Sequence, residues 1–109
     1  MAHVLAADIG NTTARFGLLE TAEAGAEGSP KLLSECEVTT RQPITTDEAR
    51  MQLGQIFSEL TGKASSRGGT CPSPEGSILS CVVPTLTGAW HRALADTVPG
   101  RQLVVGPGL

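Results

Sequence analysis

The chain has 109 residues, 39% of them apolar and 17% charged, with a net charge of −3 and a pI near 5.2. This is enough for one globular domain with a single core, but not for a two-domain enzyme, and it argues against extensive disorder. The acidic balance and only three aromatic residues (Phe16, Phe57 and Trp90) exclude the basic footprint or stacking platform that nucleic acid requires.

No apolar run approaches the roughly 18–20 residues of a membrane span. The N-terminus opens directly on a strand-like stretch, without a basic region or a cleavage site, so the expectation is a cytosolic protein with no membrane partner. Cys36, Cys71 and Cys81 are widely spaced, with no CxxC and no paired histidines. They predict neither a disulfide nor a metal site, and Cys36 and Cys81 read as inert thiols in apolar strands.

Residues 3–9 read as a buried strand and Gly10-Asn11 as a turn, with residues 12–19 returning as the second arm of a hairpin. Residues 20–30 are a polar connection, and residues 31–39 form a third strand, alternating from Leu33 onward. The period then changes. Ala49, Leu53, Ile56, Phe57 and Leu60 make one helical stripe. Thr45-Thr46-Asp47-Glu48 before it is a capping box, and Gly62 is the expected stop.

Residues 63–76 read as a loop containing Cys71. Residues 77–83 form a short, nearly all-apolar strand, the pattern of a strand covered on both faces. Thr85 is the expected cap of a second helix with Leu86, Ala89, Trp90, Ala93 and Leu94 on its apolar stripe. Pro99-Gly100 stops that helix, and residues 102–105 are a last strand. The order βββαβαβ predicts an α/β domain with a mixed sheet and helices on its faces, a ribonuclease-H-like core. No helix follows the first strand, which excludes a Rossmann order, and GxxxxGK[ST] occurs nowhere.

The chemistry concentrates in Asp8-Ile9-Gly10-Asn11-Thr12-Thr13-Ala14-Arg15-Phe16-Gly17. One reading is a plain hairpin with a Gly-Asn turn. The other is a phosphate cradle. Gly10 lacks a Cβ and lets a ligand approach the backbone, successive N–H groups from Asn11 to Thr13 converge, and the Thr12 and Thr13 hydroxyls add donors. Asp8 would repel phosphate by itself and makes sense with Mg²⁺ between the two. Arg15 lies next to this hairpin and could point to either face of its strand.

Asp-x-Gly-Asn-Thr-x₄-Gly, matched at residues 8, 10, 11, 12 and 17, resembles the first phosphate motif of type III pantothenate kinases. These belong to the superfamily of acetate and sugar kinases, heat-shock chaperones and actin. Ser80-Cys81-Val82-Val83-Pro84-Thr85-Leu86 and Leu103-Val104-Val105-Gly106-Pro107-Gly108 resemble later blocks of the same family. The resemblance implies transfer of the ATP γ-phosphate to pantothenate, the first step towards coenzyme A. It implies dimers of two-lobed subunits, with ATP, Mg²⁺ and a monovalent cation held between the lobes. Residues 8–15 correspond to the ATP-binding stretch and Asp8 to the metal-associated carboxylate.

The family's Gly-x-Asp-Arg motif, with the catalytic base and the pantothenate grip, follows the Val-Gly-Pro-Gly block, beyond Leu109, as does its monovalent-cation aspartate. The expectation is therefore the N-terminal lobe of such a kinase, inactive by itself and with no catalytic base in this chain. An alternative from another class is a non-catalytic nucleotide-binding or regulatory module, akin to relatives described as transcriptional accessory factors.

Asp47 suits the first turn of a helix, and Asp96 reads as a solvated surface charge. His91 lies off the apolar stripe and reads as solvent-facing, as does His3, whereas Trp90 reads as a core anchor.

Overall fold

The structure, a computed structural model, describes residues 2–21, 30–66 and 73–105. Its elements are β1 (Ala2–Ile9), β2 (Thr13–Thr21), β3 (Lys31–Thr39), α1 (Thr46–Ser66), β4 (Gly76–Cys81), α2 (Pro84–Thr97) and β5 (Arg101–Val105). They form one five-stranded sheet in the order β3-β2-β1-β4-β5. The β1–β2 and β2–β3 pairs are antiparallel, while β1–β4 and β4–β5 are parallel. The connections dictate this: a short turn joins antiparallel neighbours, whereas a parallel pair needs a helical crossover. The element order and the mixed sheet agree with the reading of the sequence.

Strand side chains alternate between two faces. Leu5, Ala7 and Ile9 of β1, Ala14, Phe16 and Leu18 of β2, and Leu79 and Cys81 of β4 are buried on one face. Leu53, Ile56 and Leu60 of α1 and Leu86, Trp90, Ala93 and Leu94 of α2 close over all of these except Leu18 as a single core. Phe16 and Trp90 meet at its centre, ring centroids 5.3 Å apart and tilted by 49°, a geometry worth about 0.5–1.5 kcal/mol beyond burial. Trp90 is thus a core residue, as its place on the helical stripe predicts.

Both helices pack on this one face, which corrects the expectation that β4 is covered on both sides. Among the described residues the opposite face is bare. Val4, Ala6 and Ile78 are half-buried there, and Leu103 and Val105 are exposed. The apolar run of β4 does not distinguish one covered face from two.

The starts of β1, β2, β4 and β5 shift by one residue from the sequence pattern and β2 runs two residues further, while three larger differences concern the helices and their links. The first is at Gly62, where α1 runs on to Ser66. Ala64 continues the buried stripe one turn further, and Lys63 Nζ donates to the Glu35 carbonyl at 2.9 Å. Docking onto the sheet outweighs the roughly 1 kcal/mol helix cost of a glycine. The second is at Thr85, which lies inside α2. The cap position is Val83, without a side-chain cap, and Pro84 opens the helix, where its missing N–H costs nothing. The third is β4, which ends at Cys81, so that Val82 and Val83 form the link to α2.

The α1 capping box forms as expected. Thr45 N–H donates to Glu48 Oε1 at 3.0 Å, and Glu48 N–H to Thr45 Oγ1 at 3.1 Å. At the end of α2, Gly100 has φ +92°, and a Cβ there would lie 1.8 Å from the Glu75 carbonyl oxygen, so only glycine fits. His3 is half-buried rather than solvent-facing, its Nε2 3.2 Å from Glu20 Oε2. Asp47 and Asp96 both approach Arg50, at 2.9 and 3.7 Å. His91 is exposed. Cys81 is buried, its thiol donating to the Val83 carbonyl at 3.2 Å, and Cys36 is half-buried. Cys71 and the Gly106-Pro107-Gly108 block lie outside the described residues.

Candidate functional site

The residues singled out in the sequence gather at one end of the sheet. Asp8 and Ile9 end β1, Gly10–Thr12 make the turn, and Thr13, Ala14 and Arg15 begin β2. Ile9 and Ala14 pair directly and are 0% and 1% exposed, so their side chains anchor the hairpin in the core. Asn11, Thr12 and Thr13 are exposed. The parallel neighbour ends alongside, because Val82 N–H donates to the Ile9 carbonyl at 3.0 Å.

The turn is unusual in where its carbonyls go. Gly10 N–H donates to the Thr13 carbonyl at 2.9 Å. The Gly10 carbonyl accepts from Thr40 Oγ1 at 2.8 Å, the Asn11 carbonyl from Gln42 Nε2 at 3.0 Å, and the Thr12 carbonyl from Thr40 N–H at 2.9 Å. Among the described residues the N–H groups of Asn11 and Thr12 make no hydrogen bond. No non-glycine residue in the described part has a positive φ, so this is not the primed turn of a two-residue hairpin. A Cβ on Gly10 would sit 3.0 Å from the Thr13 oxygen. The glycine thus serves the close approach of the hairpin's own backbone as well as any ligand.

Across the bare face one row of side chains runs through four strands. Glu37, Arg15, Asp8 and Ser80 are successive register partners and share the bare face by strand alternation. The question of which face Arg15 takes is therefore settled: it lies on the Asp8 side. Its Nε donates to Glu37 Oε1 at 3.2 Å. With the side chains 70% and 51% exposed, that pair contributes little to stability. A shallow depression of about 220 Å³ beneath the row is lined by Asp8, Arg15, Glu35, Ile78 and Ser80 among others. A larger one of about 540 Å³ lies at the opposite end of β1, around His3, Gly76 and Leu103. It is remote from the turn, and the turn's polar groups carry the stronger chemical argument.

Outward N–H groups with hydroxyls beside them can hold an anion. Among the described residues Asp8 is not part of any group of three or more His, Cys, Asp or Glu that could hold a metal ion. Such a residue suits Mg²⁺, which keeps waters and takes few protein ligands. Thr40, Gln42, Glu37 and Ser80 are neighbours of the site that sequence reasoning did not single out. Ser80 stood inside a recognised block, but the other three are distant in sequence and carry no local signal.

The sheet order and one-sided helices place the chain in the ribonuclease-H-like class. Thermus thermophilus RuvC shares the fold, with a TM-score of 0.52 at 21% identity over 96% of this chain and 62% of that one. Residues 4–109 match the type III pantothenate kinase family, and the chain belongs to it. It is 30% identical over 106 residues to the type III pantothenate kinase of Geobacter sulfurreducens and 31% identical over 107 residues to that of Listeria welshimeri. Each alignment covers 97% of this chain but only 36% and 35% of those proteins. The chain thus spans about a third of the length of the curated relatives it matches.

Proposed function

We propose that this chain is the nucleotide-phosphate-binding lobe of a pantothenate kinase, with ATP and pantothenate as substrates of the whole enzyme. The observation that carries this reading is the Gly10–Thr12 turn, whose carbonyls are engaged by residues 40 and 42 while Asp8 stands beside it. In this reading the N–H groups of Asn11, Thr12 and Thr13 and the hydroxyls of Thr12 and Thr13 receive the phosphate oxygens. Arg15, held through Nε, offers its outer Nη edge to the same charge. Ile9 and Ala14 act through packing.

Mg²⁺ at Asp8, when bound, neutralises phosphate charge. Asp8 would hold it on the bare face, where Ser80 is the opposing residue on β4. The catalytic base, the pantothenate site, the monovalent cation and any dimer contacts belong, in this reading, to a second lobe following the Val-Gly-Pro-Gly block. The family relationship and the coverage of about a third of the relatives support that division. Among the described residues no helix is long and apolar enough to cross a membrane.

Calorimetric titration of Mg-ATP into the chain tests the reading. Saturable binding that depends on Mg²⁺ and is lost in Asp8→Asn supports it, and no binding overturns it. In a coupled ADP-release assay with pantothenate, the 109-residue chain alone is expected to give no turnover, because one lobe cannot orient both substrates.

A further inference from the structure

The turn is held by residues some 30 positions away in sequence. Thr40 Oγ1 donates to the Gly10 carbonyl (2.8 Å), Gln42 Nε2 to the Asn11 carbonyl (3.0 Å) and Thr40 N–H to the Thr12 carbonyl (2.9 Å). Three consecutive carbonyls are therefore engaged from one side. In a trans peptide the carbonyl and the following N–H lie antiparallel in one plane, and the cis bond found among the described residues is Gln42–Pro43. Fixing the Gly10 oxygen thus turns Asn11 N–H away from residues 40–42. Fixing the Asn11 and Thr12 oxygens does the same for the N–H groups of Thr12 and Thr13.

We infer that Thr40 and Gln42 are positioning residues for an anion at the turn, acting through its backbone without touching the ligand. The inference rests on the phosphate reading of the turn proposed above. Gly10 is the residue of the turn with the freest backbone. Without the Thr40 hydroxyl its carbonyl loses its partner, and the Gly10–Asn11 peptide plane can rotate, carrying Asn11 N–H out of the donor set. Donors fixed beforehand need no rearrangement when the charge arrives, which is what makes them effective.

The test is Mg-ATP calorimetry on the parent, Thr40→Val, Thr40→Ser, Gln42→Ala and Asp8→Asn chains. It is combined with thermal melts and with the amide NMR shifts of Asn11 and Thr12 on adding Mg-ATP. Thr40→Val is expected to bind about fivefold to tenfold more weakly, the equivalent of one good hydrogen bond, with nearly the parent's melting temperature and smaller shifts at Asn11. Thr40→Ser restores the affinity. Gln42→Ala, at an exposed bond, weakens binding less and stands in if Thr40→Val does not fold. If Thr40→Val and Gln42→Ala bind like the parent while Asp8→Asn does not, the anion site stands and the positioning role falls. Thr40→Ser as weak as Thr40→Val, with both melting early, reduces Thr40 to a structural role and also overturns the inference. A parent chain that binds no Mg-ATP overturns the inference together with the reading beneath it.

Discussion

Asp8 and Arg15 stand directly opposite each other on β1 and β2, yet the Arg15 guanidinium is engaged by Glu37, 3.2 Å away. Among the described residues Asp8 keeps no cationic partner. A carboxylate left open beside a set of N–H donors predicts opposite responses with and without Mg²⁺. In Mg²⁺, Asp8→Asn should weaken ATP binding by on the order of tenfold or more, the scale of a lost charged contact. In chelator it should bind ATP at least as well as the parent, because a negative charge near the phosphates is gone. Calorimetry under both conditions checks this, and equal Mg-ATP affinity for the two chains removes Asp8 from the site.

Gly10→Val should disable the turn. Even a Cβ meets the Thr13 oxygen at 3.0 Å, closer than ordinary packing, and the branched side chain adds bulk on the ligand side. The expected outcome is loss of measurable Mg-ATP binding in a chain whose far-UV circular dichroism is that of the parent. A folded variant with parental affinity would mean that the hairpin is only a hairpin.

The capping box should make stability pH-dependent. The Thr45 backbone N–H first, then the Thr45 hydroxyl contact and the charge of Arg41, hold the Glu48 carboxyl below the usual glutamate range. A folded pKa below the unfolded one stabilises above the ordinary glutamate value, and that contribution is lost as pH falls through the folded value. Thermal melts of the parent and Glu48→Ala should therefore differ most near neutrality and converge in acid. Thr45→Ala should cost about 0.5–2 kcal/mol at neutral pH.

Gly54 and Gly62 lie within α1, and an added Cβ at either meets nothing within 4 Å. Gly62→Ala and Gly54→Ala should each stabilise the chain by about 0.4–1 kcal/mol, mainly by narrowing the unfolded ensemble. Urea unfolding measures this. A loss of stability at position 62 would mean that α1 frays before Ser66.

The bare sheet face should make the chain self-associate. Val4, Ala6, Ile78, Leu103 and Val105 lie on it, the last two exposed, and soluble monomers seldom leave a large apolar patch uncovered. Sedimentation velocity over a concentration series should show growing species, reduced in Leu103→Lys. A clean monomer throughout would contradict this.

Local patterns were enough for most of the elements and for the position of the hairpin. The Ala49–Leu60 stripe, the Thr45–Glu48 box and the 31–39 alternation depend on neighbours a few residues away, which is the range over which backbone hydrogen bonds and side-chain periodicity act. Gly62 and Thr85 misled for the same reason. Taken locally, Gly62 looks like a stop and Thr85 like a cap, but the docking of Ala64 and the entry of Pro84 outweigh them.

The sequence by itself determined the element order, the motif at residues 8–17 and, through that motif, the family. Tertiary structure alone decided which face of β2 carries Arg15, that Glu37 engages it, and that Thr40 and Gln42 hold the carbonyls of the turn. It also decided that both helices lie on one side of the sheet. The reason is physical. Strand register and crossover direction are set by packing between segments tens of residues apart, and a one-residue change of register exchanges every side chain between the two faces.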